Sequence, residues 1–304
     1  DIIAKVKDAT EKIARGTGVR GLINIQFAYV SENLYVIEAN PRASRTVPFV
    51  SKATGVQLAK AAVLIGLGKT IAELKAEGYL PQHMDGASLP QETAIAVKAA
   101  VLPFARFRTP EGVVVDSLLS PEMRSTGEVM GLDQHFDTAF AKAQAGAGSP
   151  MPTSGKVFIS VANHDKRNVI IYAKMLESLG FEIVSTGGTA EILRRNGLNS
   201  ILVASKFAEA NGDHSIVDMV RNGDIDLILN TPAGGAARSD GYEIRAAAVS
   251  VGCPVMTTIS EFAAAVQAIT ALREHSWDIM SLQEHDVKLA AAVDARLASE
   301  GGEA

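Results

Sequence analysis

The chain has 304 residues, 47% of them hydrophobic and 21% charged, which suffices for two globular domains with cores of their own. A net charge of −5 gives no electrostatic reason to expect a nucleic acid as partner. The lone Cys253 excludes an internal disulfide framework, and no apolar run reaches the roughly 18 residues of a membrane span, so a cytoplasmic protein without a membrane partner is expected. Cys253 itself reads as a small hydrophobe beside a strand.

The chain opens on Asp1 within a helical pattern, Ile2, Ile3, Val6, Ala9 and Ile13, and is read as starting inside a longer protein. Gly16-Thr17-Gly18 ends that pattern. A strand from about Gly21 puts Ile23, Ile25, Phe27 and Tyr29 on a core face and Asn24, Gln26 and Ala28 on the other. Ser31-Glu32-Asn33 reads as a three-residue hairpin loop, and Leu34 to Ala39 returns as the second strand. That loop sets Gln26 opposite Glu38 and Asn24 opposite Asn40. One hairpin face then carries Gln26, Glu38 and Asn40, a carboxylate and two carboxamides of the kind that hard divalent ions share with phosphate oxygens. Arg42 and Arg45 follow at once, and guanidinium groups beside metal ligands suit a transferring phosphoryl group.

Downstream, the spacing predicts a buried helix over 51–67 and a shorter one over 70–77 with Thr70 as N-cap. A loop follows over 82–90, where His83 and Asp85 make only a weak metal pair. Ala94 to Arg106 reads as a strand or strand pair, 120–131 as a loop packed near the site, and 136–144 as a helix. Glu122, Arg124 and Glu128 of that loop are given a structural role. Ala145 to Pro152 is a linker.

Beyond Gly155 the pattern alternates strand and helix five times. Apolar strands at 156–162, 182–186, 200–204, 227–231 and 254–258 alternate with helices near 166–179, 189–196, 215–222, 242–251 and 260–272. Buried strands alternating with helices predict a doubly wound α/β domain with a parallel sheet. Ligands in such sheets sit at the carboxyl ends of the strands. Those ends carry Asn163-His164-Asp165-Lys166, Thr186-Gly187-Gly188-Thr189 and Asn230-Thr231, with Lys206 as a second cation. Glycines and hydroxyls at a helix start suit a phosphate. Extended chain over 277–282 and a helix over 284–299 close the sequence, with 300–304 expected to be disordered.

The run Ile37-Glu38-Ala39-Asn40-Pro41-Arg42-Ala43-Ser44-Arg45-Thr46-Val47-Pro48-Phe49-Val50-Ser51-Lys52-Ala53-Thr54-Gly55 resembles the metal-binding end of an ATP-grasp domain. More narrowly it is similar to the carbamate-phosphorylating half of the carbamoyl-phosphate synthetase large-subunit family, and Ser120 to Gly131 continues that likeness. Residues 156–290 resemble the methylglyoxal-synthase-like allosteric domain that ends the same subunit. The resemblance implies an α/β chain: the C-terminal portion of an α+β ATP-grasp domain over 1–145, a doubly wound regulatory domain over 155–290 and a tail over 291–304. It further implies ATP and Mg²⁺ or Mn²⁺ as cofactors, with Gln26, Glu38 and Asn40 as metal ligands and Arg45 and Arg42 toward the phosphoryl group. Lys166, Thr186, Thr189, Lys206, Asn230 and Thr231 would hold a nucleotide effector, UMP or IMP. Ala233 and Gly234 depart from the family's hydroxyl residue and arginine, which Arg238 would offset. Implied partners are the remainder of the large subunit and a glutaminase small subunit, in an oligomer. The activity implied is ATP-dependent formation of carbamoyl phosphate from bicarbonate and glutamine-derived ammonia, for pyrimidine and arginine biosynthesis, with this fragment inactive alone. Two alternatives stand beside it. One is a nucleotide-binding regulatory module without chemistry. The other is a lyase of the methylglyoxal synthase type, suggested by His164, Asp165, Arg167 and Asp213 but lacking that enzyme's Gly-Gly-Asp-type loop.

Overall fold

A computed structural model of the chain describes residues 2–82, 92–104, 117–118, 125, 127–205, 214–232, 241–275 and 277–301. His83, Asp85, Glu122, Arg124, Lys206, Asp213, Ala233, Gly234 and Arg238 lie outside the described residues. The fold divides into two compact units, Asp1–Ala94 with Ile279–Ala304, and Ile95–Asp278.

The first unit begins with α1 (Ile2–Thr17) and the antiparallel hairpin β1 (Asn24–Val30) and β2 (Asn33–Asn40). The turn differs from the three-residue loop expected. Only Ser31 and Glu32 lie between the strands, both with positive φ (49° and 67°), as a two-residue type I′ turn requires. Val30 therefore pairs with Asn33 and Phe27 with Val36, one step out of the expected register. A bulge that leaves Ile37 without a partner restores it, so Gln26 meets Glu38 and Asn24 meets Asn40 as expected. The anticipated core face is only partly covered: Tyr29 is exposed, as are Tyr35, Val36 and Ile37 on the returning strand.

Where one helix was expected over 51–67, two form: α2 (Thr46–Thr54) and α3 (Leu58–Gly66). The break falls at Gly55, whose left-handed φ of 71° caps α2 in a conformation other side chains resist. The short helix α4 (Ile71–Ala76) carries the expected start signal. Thr70 Oγ1 accepts from the Glu73 amide at 3.2 Å and the Glu73 carboxylate accepts from the Thr70 amide at 2.7 Å, closing a capping box. The C-terminal helix Leu282–Gly301 packs in this unit, with Val293 buried and Arg296 Nε donating to Glu92 Oε1 at 2.8 Å. Residues 291–301 are thus helix within the first unit rather than a separate tail.

The second unit starts earlier than the 145–155 linker. β3 (Ile95–Val101) pairs in register with β4 (Gly127–Asp133), so 127–131 is strand where a loop is expected from the sequence. α5 (Phe136–Gly146) lies against β4, so closely that a Cβ on Gly131 would collide with the Ala139 carbonyl and the Ala143 amide. Lys142 Nζ ties the two by an ion pair of 2.7 Å to Asp133. Phe140 and Ala141 of α5 join the core of the large sheet, which is why β3, β4 and α5 count with this unit.

The remaining elements follow the predicted alternation: β5 (Lys156–Ser160), α6 (Val169–Ser178), β6 (Glu182–Ser185), α7 (Gly187–Arg195), β7 (Ile201–Ser205), β8 (His214–Ser215), α8 (Ile216–Arg221), β9 (Leu227–Asn230), α9 (Tyr242–Val251), β10 (Val255–Met256) and α10 (Ile259–Glu274). All neighbouring pairs are parallel, in the order β10-β9-β5-β6-β7-β8. Alternation along β5 sends Val157 and Ile159 into the larger apolar cluster, with α6, α7 and α10, and Phe158 into the second, with α8 and α9. Both faces of the sheet are therefore covered, as a parallel sheet needs. Each fully buried Phe or Leu here contributes about 2 kcal/mol.

Candidate functional site

The sheet order reverses at β5. The chain lays down β6, β7 and β8 on one side, then returns to place β9 and β10 on the other. Loops leave β5 in one direction and β9 in the other, which opens a crevice at their carboxyl ends. Of the residues expected to bind an anion, Lys166, Thr186, Thr189, Asn230 and Thr231 lie at or after those strand ends, and Lys206 lies outside the described residues.

Ser160 ends β5 and stands in register beside Asn230, the end of β9. Phe158 and Ile228 of the same strands face the second apolar cluster, so alternation turns Ser160 and Asn230 to that side as well. Thr186 follows β6 as the N-cap of α7, its Oγ1 3.3 Å from Ser160 Oγ. Gly187 and Gly188 open α7, and a Cβ on Gly188 would meet Lys166 Nζ at 3.3 Å. Lys166 thus holds its ammonium over the first turn of α7, where amides not yet paired within the helix and the positive dipole end already favour an anion.

Thr189 and Thr231 also take part in the backbone's own hydrogen bonding. Thr189 is 2% exposed and its Oγ1 accepts from the Val161 amide at 3.4 Å; Thr231 is 7% exposed and its Oγ1 accepts from the Ala162 amide at 2.8 Å. Between them they fix the backbone where β5 turns into the short 3₁₀ segment Asn163–Asp165. His164 there is largely exposed, with Nε2 3.4 Å from the Asp165 carboxylate. Ser160, Lys166, Thr186 and Asn230 stand at this end of the sheet together with Thr189 and Thr231, whose hydroxyls also hold the turn after β5.

Ser160 was not among the expected residues, although its place is legible: it is the hydroxyl that ends an apolar strand. Arg245 gave less away. It lies in α9 at 0% exposure, and its Nη1 donates to Asn230 Oδ1 at 3.0 Å.

In the first unit the expected ligand set shares one face. Gln26 stands opposite Glu38, and Asn40 Nδ2 donates to Glu38 Oε1 at 2.9 Å. Gln26 and Glu38 are exposed and Asn40 half-buried, so the face is open to a ligand. The donor set of one carboxylate and two carboxamides fits a hard divalent cation that draws its other ligands from phosphate oxygens and water. Among the described residues there is no cluster of three His, Cys, Asp or Glu that would hold a metal unaided. Arg42 and Arg45 are both exposed in the segment that joins β2 to α2.

A cavity of about 510 Å³ lies in the second unit between β3, α5 and the start of α10. Ser117, Cys253 and Glu261 contribute to its lining. Burial pushes Glu261 above the usual carboxylate range, against the Thr257 amide that donates to its Oε2 at 3.3 Å. Burial likewise pushes the Cys253 thiol up to about 12, in keeping with its reading as an inert hydrophobe.

Residues 2–74 match the family described as carbamoyl-phosphate synthase L chain, ATP binding domain, and residues 168–257 match the MGS-like domain. The chain is 68% identical over 291 residues to the carbamoyl phosphate synthase large chain of Kocuria rhizophila, covering 95% of this chain and 26% of that protein. To the proteins of the same name from Micrococcus luteus and Paenarthrobacter aurescens it is 64% and 63% identical, over 96% and 97% of its length and 27% of theirs. The chain therefore spans about a quarter of the length of the curated relatives it matches. Both resemblances drawn from the sequence, the ATP-binding end and the methylglyoxal-synthase-like domain, are carried by these matches, in that order along the chain.

Proposed function

We propose that this chain is the C-terminal portion of a carbamoyl phosphate synthase large chain, joining the metal-binding end of its carbamate-phosphorylating ATP-grasp half to a domain that binds a nucleotide effector. The observation that carries the reading is the pairing of Gln26 with Glu38 beside Asn40, on a chain 68% identical to such a protein over 291 residues. Gln26, Glu38 and Asn40 would hold Mg²⁺ or Mn²⁺ against the phosphates of ATP. The ion would supply charge neutralisation for phosphoryl transfer. Arg45, and with it Arg42, would contact the transferring group or the carbamate, where paired guanidinium donors act on developing negative charge.

On this reading the whole enzyme is a cytoplasmic oligomer that takes ammonia from a glutaminase small subunit, and the 304 residues alone make no carbamoyl phosphate. The crevice of the second unit binds the phosphate of UMP as inhibitor or IMP as activator. Support comes from the ammonium of Lys166 over the α7 start and from the Ser160–Thr186 hydroxyl pair beside it. Lys206, outside the described residues, joins that set as a second cation.

The catalytic half is tested in the full-length enzyme by Glu38→Ala. ATP-dependent carbamate phosphorylation should fall by on the order of a hundredfold, and the loss should ease at high Mn²⁺. Undiminished turnover would remove Glu38 from the ligand set.

A further inference from the structure

Arg245 is the only buried charged residue among those the structure describes, and its guanidinium donates to the Asn230 carboxamide. A guanidinium has donors and no acceptor, so the atom of Asn230 that faces it must be Oδ1. The amide cannot flip without setting two donors against each other in a buried site. Its two Nδ2 hydrogens are thereby turned away from α9. Among the described residues no acceptor takes them up. Gly241, at the start of α9, keeps the pair in place: a Cβ there would collide with both Arg245 Nη1 and Asn230 Oδ1.

We infer that Arg245 is a positioning residue that locks Asn230 as a pure donor at the crevice. The site would then select, at this position, a ligand atom that can only accept, such as a phosphate or carbonyl oxygen of a nucleotide. A ligand with an amino group there would face Nδ2 donor to donor and be rejected. The selectivity rests on the effector-site reading given above. The orientation of Asn230 does not, because it is set inside the protein without any ligand.

The two parts are tested separately in the 304-residue chain. For the orientation, the Asn230 side-chain amide is followed by NMR without ligand. Arg245→Met should shift that resonance and speed exchange of its protons, and Arg245→Lys should restore part of the wild-type signal. An unchanged resonance in Arg245→Met would overturn the lock. Should Arg245→Met fail to fold, Arg245→Lys is compared directly with wild type, since a lysine reaches Oδ1 with a different donor geometry. For the selectivity, Asn230→Asp keeps an acceptor for Arg245 but presents no donor to the crevice. It should melt at or above the wild-type temperature while UMP and IMP bind about tenfold more weakly or worse. Wild-type affinity in Asn230→Asp would overturn the donor role. If wild type binds neither nucleotide, the effector reading fails and the selectivity with it, while the amide resonance still decides the lock.

Discussion

Ser160 and Thr186 bring their side-chain oxygens to 3.3 Å of each other where the sheet reverses direction. They approach because Ile159 pairs with Ser185, so Ser160 at the end of β5 and Thr186 just after β6 follow at the same level. They stand at the start of α7, whose first-turn amides have no partner within the helix. Lys166 holds its Nζ at that turn, 3.3 Å from where a Cβ on Gly188 would lie.

Lys166→Met should therefore weaken binding of a nucleoside monophosphate by about tenfold to a hundredfold, the range for a charge-assisted hydrogen bond to phosphate. The fold should be untouched, since no ion pair or hydrogen bond of the Lys166 side chain within the described residues is lost. Titration calorimetry and thermal melting on the same sample separate the two effects. A drop in melting temperature with unchanged affinity would assign Lys166 to structure instead.

Gly131→Ala should destabilise the second unit by about 2 kcal/mol or more, because its Cβ would strike backbone atoms of Ala139 and Ala143, which cannot swing aside. Gly146→Ala is the matched control. Its Cβ would meet only Val129 at ordinary van der Waals distance, 3.6 Å, and alanine suits a helix better by up to about 1 kcal/mol. Urea unfolding of both variants checks the contrast, and equal stability of the two would show that the β4–α5 contact can relax.

Burial raises Glu261 above its unfolded value, so the native state holds its proton to higher pH than the unfolded chain does. Stability must then fall as pH rises from the ordinary carboxylate range through the folded value, and the loss is complete above it. Glu261→Gln keeps an acceptor for the Thr257 amide at the same helix position but carries no charge. It should be more stable than wild type at pH 7 and lose that advantage near pH 4, as read by thermal melts across pH. A gain that persists unchanged at pH 4 would mean that charge burial is not the cause.

Much of the second unit is legible in the chain because its strands are buried on both faces and read as unbroken apolar runs: 156–162, 182–186 and 227–231 contain β5, β6 and β9. β4 was not legible. Gly127, Gly131 and polar neighbours look like a loop, and the segment becomes a strand only because β3 supplies a partner and α5 covers it. The hairpin pairings at Glu38 and Asn40 came out as expected for a different reason than expected, a shorter turn offset by the bulge at Ile37. Arg245 was hidden for a related reason. Beside Glu243 it resembles a surface charge, and only the buried run Ile244, Ala247 and Ala248 marks that side of α9 as inward.

The central claim, that the crevice at the ends of β5, β6 and β9 is a nucleotide effector site, is met most directly by calorimetry of UMP and IMP with the whole 304-residue chain. The whole chain is needed because cutting at 155 would remove β3, β4 and α5 from the unit they help to build. Saturable binding of at least one of the two nucleotides is expected, one per chain, lost or strongly weakened in Lys166→Met. Binding of neither nucleotide would contradict it.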